Sequence, residues 1–198
     1  MIPYFIRQSN LVEMLNINVY LSNILLLPSI TLIYLIIYEI NNWNIDNYNC
    51  KFFYMDMWIF VFITYTFAFI ISTIYHYFMF RNNNIFKLIG KLDYKITAPL
   101  LTVVVIILSI LYCNTCLFDK NNNYWIIFIL SVIFNLTGLS MYFCRRYLFL
   151  PEIKNNKDLI IYLINHVGFH YVTYTGILLI SVLLYLHYED IYKCIYIN

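Results

Sequence analysis

The chain has 198 residues, of which 63% are hydrophobic and only 11% charged, with a mean hydropathy of +0.73. A soluble domain carries about 25% charged residues, so this chain has too little polar surface to face water all round and reads as an integral membrane protein. Its net charge of +2 is too small to suggest nucleic-acid binding, and nothing in it points to a soluble partner.

A membrane-spanning helix needs about 20 mostly apolar residues. Residues 1–16 are too polar for that, and are expected to lie in the interface with Ile2, Tyr4, Phe5 and Leu11 as anchors. No short apolar core followed by a small-residue cleavage site marks a removable signal. Spans are predicted over residues 19–39, 57–80, 90–113, 124–144 and 159–187. The last is long enough to tilt or protrude. The connectors, "INNWNIDNYNC", "RNNNIFKL", "FDKNNN" and "RRYLFLPEIKNNKD", are polar and rich in Asn, as turns at a membrane surface are. The expected fold is all-α: a single multi-pass transmembrane helix bundle over residues 1–198, without internal repeats.

Basic residues orient such a bundle. With five spans, Arg7, Arg81, Lys87, Lys91, Lys95, Arg145, Arg146, Lys154 and Lys157 share one side, nine of the 12 basic residues. Lys51, Lys120 and Lys193 fall on the other. The N-terminus is therefore expected in the cytosol and the C-terminus outside or in a lumen. The organelle stays open. Cys50, Cys113, Cys116 and Cys194 fall on the non-cytosolic side, where disulfides persist. Four cysteines allow three connectivities, and the pairing is not deducible. Cys144 falls near the cytosolic face. "CNTC" at 113–116 has no second metal-binding pair, so buried or disulfide-bonded cysteines explain it better than a metal.

The rare polar residues of the spans carry the functional signal. In "NHVGFHYV", His166 and His170 stand at i and i+4, on one face of the last helix, roughly 10–17 Å in from its start at about 1.5 Å per residue. In "STIYH", Ser72 and His76 have the same spacing near the end of the second span. In "KLDYK", Asp93 opens the third. Those three helix ends lie on the same side, so the five residues share one half of the membrane. An ionisable residue there costs about 2.5–3.5 kcal/mol on insertion scales and usually faces an interior partner. Three imidazoles from two helices suit Zn²⁺ with a fourth position left for water, the layout of a catalytic zinc site. Asp93 would then take the water's proton or hold the water by hydrogen bonding. Ser72 would orient Asp93 or polarise a substrate carbonyl. Singly, each residue has a plainer reading. Asp93 suits a helix N-terminus, Ser72 can bond back to the preceding turn, and His187, beside Glu189 and Asp190 at the far interface, reads as structural.

The order Ser72-x3-His76, then Asp93 in "LDY", then His166-x3-His170 resembles the CREST superfamily of membrane proteins. That group holds alkaline ceramidases, progestin and adipoQ receptors with the haemolysin III-like proteins, and GPI-lipid remodelling proteins. The resemblance implies zinc on His76, His166 and His170, with Asp93 and Ser72 supporting the zinc-bound water. It also implies hydrolysis of amides or esters in membrane lipids. It covers the motifs between residues 72 and 170, and the family has seven spanning helices where five are predicted here. Dropping two helices between the third and the last keeps all the ligands on one side. Two other functions compete: a receptor-like or scaffold protein with a structural zinc, and a haem-binding electron carrier with histidines as axial ligands. A di-iron lipid hydroxylase needs about eight histidines, and the chain has four. No nucleophile turn of the Gly-x-Ser-x-Gly kind supports a serine hydrolase.

Overall fold

The structure is a computed structural model and describes residues 10–42, 48–78, 92–113, 124–144 and 156–196. Among the described residues all regular structure is helical. Helix α1 (Asn10–Ser22) passes through a 3-10 turn (Asn23–Leu26) into α2 (Leu27–Asn41). Helix α3 follows (Tyr48–Phe78), then a π turn (Asp93–Thr97) leading into α4 (Ala98–Tyr112). Helices α5 (Trp125–Cys144) and α6 (Asn156–Tyr196) complete the bundle.

Five helical segments are long and apolar enough to cross a membrane: Ile17–Asn41, Met55–Tyr77, Lys95–Tyr112, Trp125–Cys144 and Lys157–Ile191. They match the five predicted spans, and the chain is a multi-pass helical membrane bundle. The ends differ. α3 starts at Tyr48, inside what reads as a polar connector, and runs for 31 residues. α6 runs for 41 residues, past the predicted end of its span at 187. His187 itself has φ −123° and ψ 15°, so the helix kinks where the apolar run ends and then continues. Once backbone groups near lipid are paired within a helix, extending it costs less than opening it. Helix α1 likewise runs from Asn10 straight into the first span. Ile2, Tyr4, Phe5 and Cys116 lie outside the described residues, as do the basic residues Arg7, Arg81, Lys87, Lys91, Lys120, Arg145, Arg146 and Lys154. Cys113 and Cys144 are free thiols.

Two prolines explain the two departures from α-helix. Pro28 has no N–H to give to the Ile24 carbonyl four residues back. Leu27 N–H donates to that oxygen instead, which tightens the turn to 3-10 geometry. Pro99 stands in the same relation to Lys95, and there the preceding turn widens, with Ala98 N–H donating to the Asp93 carbonyl. Asn23 and Asp93 each open one of these turns.

The bundle is sorted as a bilayer demands. Ile63, Ile107, Ile133 and Leu136 are more than half exposed, while Ser22, Asn23, Ser72, His76, Ser131, His166, His170 and Ser181 are buried. Lipid offers no hydrogen bonds, so polar side chains turn inward. Helix α6 is the axis, packing on α1, α2, α4 and α5. Helix α3 packs on α2, α4 and both irregular turns. The two longest helices therefore lean on the first span more closely than on each other. Trp58, Tyr65, Ile36, Leu108 and Ile180 form the apolar core between them.

Helix α5 stands apart. It packs along α6 and only sparsely on α4. Small residues hold the α5–α6 seam together. Ser131 Oγ donates to the Gly176 carbonyl at 2.8 Å. A Cβ on Gly138 would overlap the Thr173 hydroxyl and come within 3.3 Å of the Thr173 Cα. Gly138→Val is accordingly expected to cost about 1–3 kcal/mol by overpacking, seen as a lower thermal midpoint in detergent. An unchanged midpoint would mean that α5 does not meet α6 at this position.

Candidate metal centre

The last turn of α3 carries His76, and one face of α6 carries His166 and His170. The fold brings all three together. The His76 ring centroid lies 4.7 Å from that of His166 and 4.8 Å from that of His170. The His166 and His170 centroids are 4.9 Å apart. The rings are 0%, 1% and 2% exposed. Each offers one nitrogen such that the three ligand atoms lie within 4.8 Å of one another. Among the described residues, His76, His166 and His170 are thus the group that can hold a metal ion. A metal–imidazole bond is about 2.0–2.1 Å, so two nitrogens on one ion stand at most about 4 Å apart, close to the spacing here. Aromatic rings pack around the cluster: Tyr75 on His76 at 4.9 Å, Tyr162 on His166 at 5.7 Å, Phe169 and Tyr174 on His170 at 5.4 and 5.1 Å.

A cavity of about 380 Å³ reaches this cluster. His170, Ser72 and Asp93 line it together with Thr97, Thr173 and Tyr174, while much of the rest is apolar side chain from α4 and α5. Val103, Ile106, Leu136 and Phe143 belong to the lining and are also about half exposed on the outer surface. The cavity therefore extends from His170 to the outer surface, through the gap left where α4 and α5 barely touch.

Ser72 is 4% exposed, and its hydroxyl donates to Asn23 Oδ1 at 3.0 Å. A serine hydroxyl has one proton. With that proton given to Asn23, Ser72 can accept a hydrogen bond from the cavity but cannot donate one there. The roles expected from the sequence, orienting Asp93 or polarising a substrate carbonyl, would need that hydroxyl to turn from Asn23. Tyr174 OH donates to the same Asn23 oxygen at 3.1 Å, and Asn23 Nδ2 donates to the Tyr20 carbonyl at 3.3 Å. Motif spacing misses Asn23 and Tyr174. A polar residue five positions ahead of a proline in an apolar run, and a tyrosine continuing the i, i+4 series of His166 and His170, are the signals that point to them.

Asp93 opens the π turn ahead of α4 and is half-buried. It shares the cavity with His170 and Ser72 and is not a member of the ligand group. Its place on the cavity wall leaves it facing whatever the cavity holds. His187 lies elsewhere. Its Nδ1 is 3.5 Å from Asp190 Oδ2, and its ring meets Tyr112 and Tyr124 edge-on at 5.7 and 5.3 Å, which ties the kink of α6 to α4 and α5.

The chain matches no family model, no curated protein and no solved structure. Among the described residues the ligand group is three buried imidazoles, the number of protein ligands that a catalytic zinc site uses. Elemental analysis of the detergent-purified protein is expected to find about one metal ion per chain. His76→Ala, His166→Ala and His170→Ala should each lose it, and His187→Ala should keep it. Metal retained by all three cluster variants would place the ion elsewhere.

Proposed function

We propose that this protein is a zinc-dependent intramembrane hydrolase that cleaves an amide or ester bond in a membrane lipid. The observation that carries the reading is the shared cavity: a candidate metal ligand, a carboxylate and an accepting hydroxyl line one space that reaches lipid. The donor set favours zinc, which takes imidazole readily and in catalytic sites uses three protein ligands. Zinc there would supply Lewis acidity and a water acidic enough to lose its proton near neutral pH.

The chain's own residues supply the rest. A lipid enters between α4 and α5 and lays its apolar part along Val105, Ile106, Leu136 and Leu139, all of which line the cavity. Its carbonyl reaches the His170 end. Asp93 accepts the proton that water gives up as its oxygen bonds to the carbonyl carbon. It returns that proton to the departing nitrogen or oxygen as the C–N or C–O bond breaks. Ser72 accepts a hydrogen bond from the water or from a substrate N–H or O–H. The apolar walls keep bulk water out, which strengthens each of these contacts. The order of Ser72, His76, Asp93, His166 and His170 resembles that of the CREST superfamily and supports the same reading, on five spans rather than seven. The charge asymmetry orients the site toward the cytosolic half of the membrane.

Two other readings fare less well. A structural zinc site is closed, whereas a cavity lies against His170. A haem held between two helices needs a porphyrin plane between its axial rings. His76 is in ring contact with both His166 and His170, and no gap for one separates them.

The deciding test measures hydrolysis of lipid amides and esters by purified protein in mixed micelles. Asp93→Asn is expected to keep its zinc and lose about 10²- to 10⁴-fold in rate. A zinc-loaded wild type that cleaves neither class of bond would favour the scaffold reading. Leu139→Trp, which fills the cavity, is expected to raise KM with zinc content unchanged; an unaltered KM would show that substrate does not use this space.

A further inference from the structure

Asn23 is 1% exposed and lies in the N-terminal part of the first membrane span. Its carbonyl oxygen accepts from Ser72 Oγ at 3.0 Å and from Tyr174 OH at 3.1 Å. Ser72 stands one helical turn before His76 on α3. Tyr174 stands one turn after His170 on α6. One amide thus ties together the two helices that carry the histidines, and does so one turn from the rings. The amide orientation follows from the partners. Two hydroxyl donors meet the oxygen, and the nitrogen donates to the Tyr20 carbonyl at 3.3 Å, so both ends of the side chain are matched.

Helix packing points the same way. α3 and α6 pack on the first span more closely than on each other, and the 3-10 turn that begins at Asn23 touches both. The separation of His76 from His166 and His170 is thus set largely by what stands between their helices. The turn itself follows from Pro28, whose missing N–H leaves Ile24 O to Leu27. The polar link is expensive to break in lipid, because a buried amide oxygen would lose both hydroxyls that donate to it.

We infer that Asn23 is a positioning residue of the metal centre: through Ser72 and Tyr174 it sets the register of α3 against α6, and so the geometry in which three imidazoles converge. The inference rests on the metal reading of the histidine cluster. It does not place Asn23 on the metal or the substrate. Partners of this kind, beyond the ligands themselves, typically govern metal affinity by about 10- to 100-fold.

The experiment compares Asn23→Leu, Tyr174→Phe and the double variant with wild type. Ser140→Ala, an exposed hydroxyl that donates to its own helix at Leu136 O, serves as control. Zinc affinity is measured by chelator competition. The visible absorption of the cobalt(II)-loaded protein reports ligand geometry independently of any activity. Asn23→Leu is expected to weaken zinc about 10- to 100-fold and to alter the cobalt bands while helical circular dichroism stays at the wild-type level. Tyr174→Phe should weaken it less. The double variant should bind no more weakly than Asn23→Leu alone, because Tyr174 acts through Asn23. Ser140→Ala should match wild type. If Asn23→Leu does not fold, Tyr174→Phe, which removes one oxygen, decides by the same two readouts. Wild-type affinity and cobalt spectrum in these variants, with zinc lost in His76→Ala, would overturn the role of Asn23 and leave the metal site standing. No metal in the folded wild type would overturn both.

Discussion

Hydrocarbon offers no hydrogen bonds, and that single constraint arranges this protein. Each polar side chain in a span must find its partner inside the bundle or lose several kcal/mol. Asn23, Ser72, His76, Ser131, His166, His170 and Ser181 are all turned inward for this reason, and Ile63, Ile107 and Leu136 are turned out. The inversion of the usual soluble pattern leaves the polar residues few places to go. They gather where helices meet, and the histidine cluster is the densest of those places.

Local backbone chemistry then decides where the helices bend around it. Pro28 and Pro99 each remove a donor, one tightening the turn before it and the other widening it. Both irregular turns open with a polar residue: Asn23 bonds to Ser72 and Tyr174, and Asp93 lines the cavity.

The packing is uneven, and the unevenness shapes the cavity. Glycines and serines draw α5 onto α6, where Gly138 meets Thr173 and Ser131 bonds to Gly176. The contacts of α5 with α4 are sparse. A gap remains between α4 and α5 with His170, Ser72 and Asp93 at its inner end. One seam is closed by small residues and the next is left open with large ones, which joins a polar centre to the surrounding lipid without a polar channel.

Much of this was written in the residue pattern. Apolar length alone marked five spans, and the α6 kink at His187 falls where the last run was predicted to end. The i, i+4 spacing put His166 and His170 on one face, and the parity of five spans put His76 in the same half of the membrane. Periodicity says which residues share a face of one helix; it does not say which neighbour that face meets. So the ring contacts of His76, the spending of the Ser72 proton on Asn23, the use of Tyr174 and the gap between α4 and α5 were decided only by the tertiary structure. The helical start of α3 in an Asn-rich stretch was hidden for a related reason: composition reports solubility, while helix ends follow from where backbone groups can be paired. The sequence by itself determined that this is a multi-pass helical membrane protein with a few buried polar residues at one depth. Tertiary packing decided which of them meet, because register and rotation between helices come from side chains far apart in the chain.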